Sequence, residues 1–196
     1  MIKLIAMVVL AAGLTGCVQA VPEDAQEAER GVPLLSTPLL PGSLGHALSL
    51  SQIVTAEFNG EQRSLRVEVD ITADRMVMVG LSLIGAPLFT LELDSQGLRA
   101  STLEGAALPF DPRHILSDFQ LAHWPREQIA RELSRHGNRL LPGTDAAGRE
   151  IYGPQRQLLV KIDYPPAGGD GDLIIQHFDR PYQLQIHTIE SEAGQG

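Results

Sequence analysis

Residues 64–71 read SLRVEVDI, and apolar and polar side chains alternate at every position of this stretch. A period of two is the pattern of a β-strand with one face in a core and the other in water. The apolar set consists of Leu65, Val67, Val69 and Ile71. The stretch therefore predicts a strand in a sheet that is wet on one face.

The flanking segments extend this strand into a series of hairpins. Upstream, ALSLSQIVTAEF (47–58) is followed by Asn59-Gly60, a dipeptide that favours a two-residue hairpin turn. Downstream, RMVMVGLSLI (75–84) and LFTLELD (88–94) predict two further strands, and a short fifth one follows SQG (95–97). Hairpins without long crossovers predict an antiparallel sheet. The connection LIGAP (83–87) is unusual because it is apolar where hairpin turns are normally polar.

The period changes in residues 108–138. Asp111 is placed to cap a helix with Pro112 in its first turn, and apolar residues then recur at helical spacing. Trp124-Pro125 interrupts this helix, because the residue before proline avoids the helical region. A second helix ends at Gly137, so a helical insertion is predicted at about 111–137.

Strands then resume up to residue 189, and the remaining residues 190–196 are expected to be a frayed tail. The strand segments are REIYG (149–153), QLLVKIDY (157–164), DLIIQHF (172–178) and YQLQIHTI (182–189). The fold class is therefore mainly β with a helical insertion (α+β), in one domain at 44–189. We expect a curved antiparallel sheet, or a half-open β-barrel, closed by a helical lid. A β-sandwich with a helical excursion is the alternative.

The N-terminus, MIKLIAMVVLAAGLTGC (1–17), has one lysine, an apolar run and then small residues, as in a secretory signal. The apolar run is shorter than the roughly 20 residues that a membrane-spanning helix needs. It leads to Cys17, the only cysteine of the chain, which has no internal disulfide partner.

Leu14, Thr15, Gly16 and Cys17 resemble the lipobox of bacterial lipoproteins. The resemblance implies that residues 1–16 are a signal peptide that is removed and that Cys17 becomes the acylated N-terminus, carrying chains such as palmitate. Val18, rather than Asp, follows the cysteine, which by enterobacterial sorting implies the outer membrane, facing the periplasm. The alternative is an ordinary thiol behind a signal peptide.

Residues 17–43 are first acidic and then rich in Pro, Gly and Ser, which predicts a flexible tether. Within it, PLLSTPLLP (33–41) is apolar enough to dock as a strap. The chain has 15 Lys and Arg against 24 Asp and Glu, a net charge of −9. Removal of Lys3 with the signal peptide leaves 14 against 24, a net charge of −10. Nucleic acid is therefore not an expected partner.

Enzyme chemistry finds little support in the sequence. No Gly-x-Ser-x-Gly elbow is present, and DGD (170–172) lacks the other ligands of a calcium loop. His114 with Asp118, and Glu132 with His136, are four residues apart on predicted helices and could be acid–base pairs or half of a metal site. Surface capping is the simpler interpretation. We expect no catalytic residue, no metal and no cofactor.

Four segments, in order, resemble an uncharacterised family of bacterial outer-membrane lipoproteins, a domain of unknown function. Its members often occur beside aryl polyene biosynthesis genes and are similar to the lipoprotein receptor LolB. The resemblance covers residues 41 to 189, and its most specific part is the run from Pro112 to Pro125. The segments are LPGSLGHALSLSQ (40–52), residues 67–98, LPFDPRHILSDFQLAHWP (108–125) and REIYGPQRQLLVKIDY (149–164).

The resemblance implies a LolA/LolB-like half-barrel closed by helices around an apolar cavity that holds acyl chains. Candidate cavity residues are Met76, Met78, Phe119 and Trp124. The alternative for Trp124 and the two methionines is ordinary packing in a filled core. In LolB an exposed apolar turn helps to insert cargo into the membrane, and LIGAP has a comparable position. The candidate membrane-contact residues are Leu83, Ile84, Ala86 and Pro87.

The sequence thus predicts a non-enzymatic lipoprotein that is anchored in the membrane through its N-terminal lipid. It would bind an apolar or acylated cargo (a lipid, lipoprotein acyl chains or a polyene-lipid) and deliver it to the membrane. The alternative is a structural or assembly lipoprotein that supports envelope biosynthesis or export proteins and holds nothing inside.

Overall fold

The alternating segments form one ten-stranded antiparallel sheet in a computed structural model of the protein. The structure describes residues 33–58, 60–103, 111–143, 148–166, 171–180 and 182–194. The strands are β1 (Leu48–Phe58), β2 (Glu61–Ile71), β3 (Arg75–Leu81), β4 (Pro87–Asp94), β5 (Gly97–Thr102), β6 (Arg139–Pro142), β7 (Arg149–Tyr152), β8 (Leu158–Asp163), β9 (Leu173–His177) and β10 (Tyr182–Ala193). The helices are a short 3-10 helix (Pro41–Leu44), α1 (Pro112–His123) and α2 (Arg126–Arg135).

The strand order is β5-β4-β3-β2-β1-β10-β9-β8-β7-β6. Two meanders, one before and one after the helices, are therefore joined where the first strand pairs with the last. This arrangement confirms the expected curved antiparallel sheet with a helical insertion. The described strands form one sheet, not the two sheets of the alternative β-sandwich.

The alternation of β2 is realised as predicted, because its four apolar side chains are all buried in the core. The same face of β3 carries Met76 and Met78, and it continues to Gly80. A Cβ atom at Gly80 would lie 2.1 Å from the Phe89 ring of β4, so only glycine lets this aromatic side chain pack across the strand.

The helix boundaries follow the predicted signals. The Asp111 carboxylate accepts a hydrogen bond from the Arg113 backbone N–H at 2.9 Å, which caps α1. Trp124 is extended, with φ −72° and ψ 155°, and separates α1 from α2. Gly137 has φ +76°, the left-handed conformation that ends many helices.

Three boundaries differ from the sequence predictions. The expected tail is wrong for residues 190–193, because β10 continues to Ala193 and pairs with β1 as far as Leu48. The expected tether is wrong for residues 33–43, where Leu35 is only 2% exposed and packs in the core. Strand β6 was not predicted, and it ends at Pro142, a residue that edge strands tolerate. The signal peptide 1–16 and Cys17 lie outside the described residues.

The sheet has two distinct ends. The Phe58 end holds the β1–β2 connection, the β3–β4 turn, the end of β5 and the start of β10. The Leu48 end holds the start of β1 and the β2–β3 and β4–β5 turns.

Helix α1 runs from the Phe58 end to the Leu48 end. Near the Phe58 end, the Tyr182 hydroxyl donates to the Asp118 carboxylate at 2.7 Å. Near the Leu48 end, the Trp124 indole N–H donates to the Ser43 hydroxyl at 2.8 Å. The adjacent Gly42 lies against the Ala73 carbonyl in the β2–β3 turn.

Candidate functional site

Large apolar side chains are exposed in turns and at strand ends along the Phe58 end of the sheet. Ile84 is 94% exposed and Leu83 is 64% exposed, and three others are about half exposed. We call these five residues the apolar rim: Phe58, Leu83, Ile84, Leu103 and Phe178. Exposed large apolar residues that share one end of a sheet suit an interaction surface.

The β3–β4 turn within this rim is well ordered by hydrogen bonds from Ser82. Its backbone N–H donates to the Ala86 carbonyl at 2.8 Å, and its carbonyl accepts from the Gly85 N–H at 2.8 Å. Its hydroxyl accepts from the Ala86 N–H at 3.0 Å. Gly85 has φ +86°, which suits a tight turn. Because the backbone is satisfied internally, the apolar side chains are held out in solvent.

The structure places all four predicted membrane-contact residues in this turn or at its edge, and all are exposed: Leu83, Ile84, Ala86 and Pro87. Sequence reasoning missed the rest of the rim. It did not single out Phe58, Leu103 or Phe178 as exposed contacts. Each of these lies at or just beyond the end of a strand, and that position was the available signal.

The four predicted cavity residues lie together in the core. Met76, Met78, Phe119 and Trp124 are at most 6% exposed. The Phe119 and Trp124 rings meet edge to face, with their centroids 6.2 Å apart. These side chains fill the contact between sheet and helix, so an acyl chain at this position would have to displace them.

A groove of about 370 Å³ crosses the opposite, solvent-facing side of the sheet. It is lined by the half-buried Val77 and Val79 and by four carboxylates: Glu68, Asp70, Glu190 and Glu192. Carboxylates in water are poor partners for an acyl chain. The groove is therefore an acidic surface of the domain rather than a pocket for apolar cargo.

A buried polar cluster joins α1 to β9 and β10. Asp118 accepts from the Tyr182 hydroxyl at 2.7 Å and lies 3.1 Å from the His177 Nε2 atom. Burial lowers the pKa of His177, but the Asp118 and Asp179 carboxylates together outweigh it and raise that pKa to about 9. Burial, and then Asp118, raise the pKa of Tyr182. The cluster is thus an internal ion pair that fixes the helix on the sheet.

The predicted acid–base pairs are not both assembled. Asp118 contacts His177 and Tyr182, whereas His114 accepts a hydrogen bond from Arg180 at 2.8 Å. Glu132 and His136 are 3.9 Å apart, and Glu132 also pairs with Arg135 at 2.6 Å. Within the described ranges, no three His, Cys, Asp or Glu side chains come together in a way that could hold a metal ion.

No helix in the described part of the chain is long and apolar enough to cross a membrane. The family model described as "Protein of unknown function (DUF3261)" matches residues 49–190. No curated protein matches the chain.

The chain is similar to several solved structures. One is a LolA superfamily protein from Nitrosomonas europaea, with 8% identity, 78% of this chain and 90% of that chain covered, and a TM-score of 0.41. Another is a DUF1329 family protein from Desulfovibrio piger, with 8% identity, 83% and 93% covered, and a TM-score of 0.41. A third is an outer-membrane lipoprotein-sorting domain from Vibrio parahaemolyticus, with 10% identity, 89% and 92% covered, and a TM-score of 0.34.

Proposed function

We propose that this chain, which belongs to the DUF3261 family of proteins of unknown function, is an envelope lipoprotein that carries an apolar or acylated cargo to a membrane. Its anchor is Cys17, acylated after removal of residues 1–16, in the outer membrane and facing the periplasm. It acts without a chemical step. The observation that carries this proposal is the apolar rim, which exposes Ile84 almost completely on an acidic chain.

The rim suits brief contact with a bilayer. Burying one large aliphatic side chain contributes roughly 1.5–3 kcal/mol, so Leu83 and Ile84 together would give weak, reversible binding. An acylated Cys17 would supply the permanent attachment, since several lipid chains hold a protein on a membrane far more firmly than one. The turn would then act as a contact that forms and breaks while the anchor stays in place.

The cargo is proposed to lie between the sheet and α1, against Met76, Met78, Phe119 and Trp124. Methionine side chains are unbranched and adaptable, and they can line a space that opens and refills. Because these residues are packed, binding would require α1 to shift away from β3 and β4. The cargo class is a lipid, lipoprotein acyl chains or a polyene-lipid.

Native mass spectrometry tests the carrier function. A non-lipidated form that begins at Val18 would be purified without detergent from the periplasm of its own host. We expect a stoichiometric apolar adduct, which would also identify the cargo class. A clean mass, together with no uptake of a fluorescent fatty acid, would contradict the carrier proposal.

Replacing Ile84 by Glu should weaken binding of the same non-lipidated form to lipid vesicles by at least about tenfold, because it removes one aliphatic contact and adds a charge that must be desolvated. Stability should change little, since the side chain is 94% exposed. Vesicle flotation and a thermal melt measure the two effects. Ile189→Glu, at an exposed isoleucine of β10 outside the rim, is the matched control. Equal binding by both variants would remove the turn from the mechanism.

The packed core favours a second function. If Met76, Met78, Phe119 and Trp124 never separate, the chain holds nothing inside and the rim is a docking surface. It would then be a structural or assembly lipoprotein that supports envelope biosynthesis or export proteins, including those of aryl polyene synthesis. A clean mass combined with unchanged vesicle binding by Ile84→Glu would favour this function.

A further inference from the structure

Residues 33–44, which we call the strap, lie along α1 and are held by its side chains. The Leu35 backbone N–H donates to the Ser117 hydroxyl at 3.2 Å. Gln120 makes two bonds with one strap residue: its Oε1 accepts from the Leu39 N–H at 2.9 Å, and its Nε2 donates to the Leu39 carbonyl at 2.7 Å. Ser43 accepts from Trp124, as described above. The strap is therefore bound through main-chain and side-chain contacts along its length.

The helix side chains in these contacts are buried, and Gln120 has no exposed surface at all. Releasing the strap would break these hydrogen bonds and open the helix side chains that make them to water. It would also expose Leu35, which is 2% exposed in the docked strap. The docked position is thus strongly preferred over a free one.

The strap runs in the same direction as α1, because residues 35, 39 and 43 contact residues 117, 120 and 124 in that order. Since α1 runs from the Phe58 end to the Leu48 end, the strap does too. The described chain therefore begins, at Pro33, on the side of the apolar rim. Without the strap, the chain would leave the domain next to β1, at the Leu48 end.

We propose that the strap is an orientation clamp that turns the apolar rim toward the lipid bilayer in which Cys17 is anchored. The inference rests on the anchoring part of the proposed function and needs no cargo. Fifteen residues lie between Cys17 and Pro33, which gives a reach of at most about 55 Å from the rim side. With the strap released, 26 residues lie between Cys17 and Leu44, which gives a reach of about 90 Å from the opposite end.

The charge distribution favours the same orientation. The carboxylates of the acidic groove lie near the Leu48 end, where Ser49 pairs with both Asp70 and Glu192. An anionic bilayer repels this end of the domain and leaves the rim as the end that can approach it. The partner surface is therefore phospholipid that meets the Phe58 end.

Lipid quenching of a single fluorescent label tests the orientation. The full-length, lipidated protein would be placed in vesicles of phosphatidylethanolamine and phosphatidylglycerol with nitroxide-labelled lipid. Because the Cys17 thiol is acylated, an introduced cysteine is the only free thiol. One label replaces Ala86 in the rim turn, and the other replaces Ser95 in the β4–β5 turn at the Leu48 end. We expect quenching at position 86 and little at position 95. Equal quenching, or stronger quenching at position 95, would overturn the proposal.

Two strap variants then test the clamp itself. Leu35→Glu places a charge at a buried position and should abolish the difference between the two labels. Leu40→Glu places the same charge at a strap residue that is 54% exposed and should keep the difference. If Leu35→Glu does not fold, Gln120→Leu removes both bonds to Leu39 and carries the same expectation. Hydrogen exchange at the Leu35 and Leu39 amides verifies release, and a released strap with an unchanged label difference would refute the clamp.

These outcomes are separable from failure of the carrier function. A clean apo mass leaves the orientation result standing, because the quenching experiment contains no cargo. A bound cargo with the Leu48 end on the membrane would keep the carrier and exclude the clamp. An intact mass without acyl chains on Cys17 would remove the anchor and contradict the clamp together with that part of the proposed function.

Discussion

Among single residues, the buried His177 and the half-buried His123 stand out because their pKa values are shifted in opposite directions. His177 is paired with Asp118 and lies near Asp179, and the two carboxylates hold its pKa at about 9 despite burial. His123 stacks against Phe119, and its Nε2 atom has no hydrogen-bond partner among the described residues. Burial, and then the Arg149 charge, lower the pKa of His123 to about 4. One histidine is therefore charged in the folded protein at neutral pH, and the other is neutral.

These shifts predict a free energy of unfolding that is greatest near pH 6.5. The contribution of His177 is fully present below its unfolded pKa of 6.5 and is lost as the pH rises to about 9. The contribution of His123 is present above 6.5 and is lost as the pH falls to about 4. Each loss is on the order of 3 kcal/mol. Urea unfolding measures both losses of stability when it is repeated from pH 4 to pH 9, the two shifted pKa values.

Single substitutions separate the two limbs of this profile. His177→Gln should flatten the alkaline limb, and His123→Phe should reduce the acidic limb, because each removes the shifted group. An alkaline limb that persists in His177→Gln would show that another group is responsible.

At the scale of elements, the two helices show how local signals set their boundaries. Asp111 caps α1 through the Arg113 N–H, and Pro112 occupies the first turn, where its missing N–H costs nothing. The position of α1 matters for the proposed site, since it carries Phe119 toward the sheet and Gln120 toward the strap. A weakened start of α1 would therefore affect the strap as well as the core.

Asp111→Ala should lower the free energy of unfolding by about 1 kcal/mol, the usual contribution of a helix N-cap. Thermal or urea denaturation of the non-lipidated form measures it. Asp74→Ala is the control, since Asp74 is an exposed aspartate in the β2–β3 turn. Equal effects of the two substitutions would mean that the cap contributes nothing beyond its charge.

At the scale of the whole molecule, the pairing of β1 with β10 joins the two meanders. Each meander consists of strands that follow one another in sequence, whereas β1 and β10 are separated by most of the chain. Such a contact has a high cost in chain entropy when it forms. The integrity of the sheet therefore depends on its first and last strands.

A disulfide between these strands should stabilise the protein. Thr55 and Gln185 are directly opposite each other, and a bond between cysteines at these positions would close a long loop and contribute roughly 4–5 kcal/mol. In a form that begins at Val18, these would be the only cysteines. The melting temperature should rise, and a reductant should cancel the rise. Cysteines at positions 55 and 187 should not crosslink, because His187 lies two residues beyond Gln185, the residue opposite Thr55. Efficient crosslinking of that second pair would show that the register is wrong.

Much of the fold could be predicted because its signals are local. The alternation of SLRVEVDI, the cap at Asp111, the break at Trp124-Pro125 and the stop at Gly137 each depend on neighbouring residues and on backbone sterics. The β3–β4 turn was recognisable for the same reason, because an apolar turn is anomalous wherever it occurs. Local signals were therefore sufficient for the order of the helices and of every strand except β6, for the turn at Leu83 to Pro87 and for the acidity of the chain.

The way in which distant segments meet depends on the three-dimensional fold and not on local signals. The charged end of β10 is a strand because its backbone pairs with β1. Residues 33–43 hold their position because Gln120 and Ser117, which are 81 and 82 residues away from their partners in sequence, bind them. The apolar rim exists because strand ends that are far apart in sequence come to one end of the sheet. The cavity residues Met76 and Trp124 are packed for the same reason, since side-chain packing depends on what the fold brings beside them and not on the neighbours in sequence.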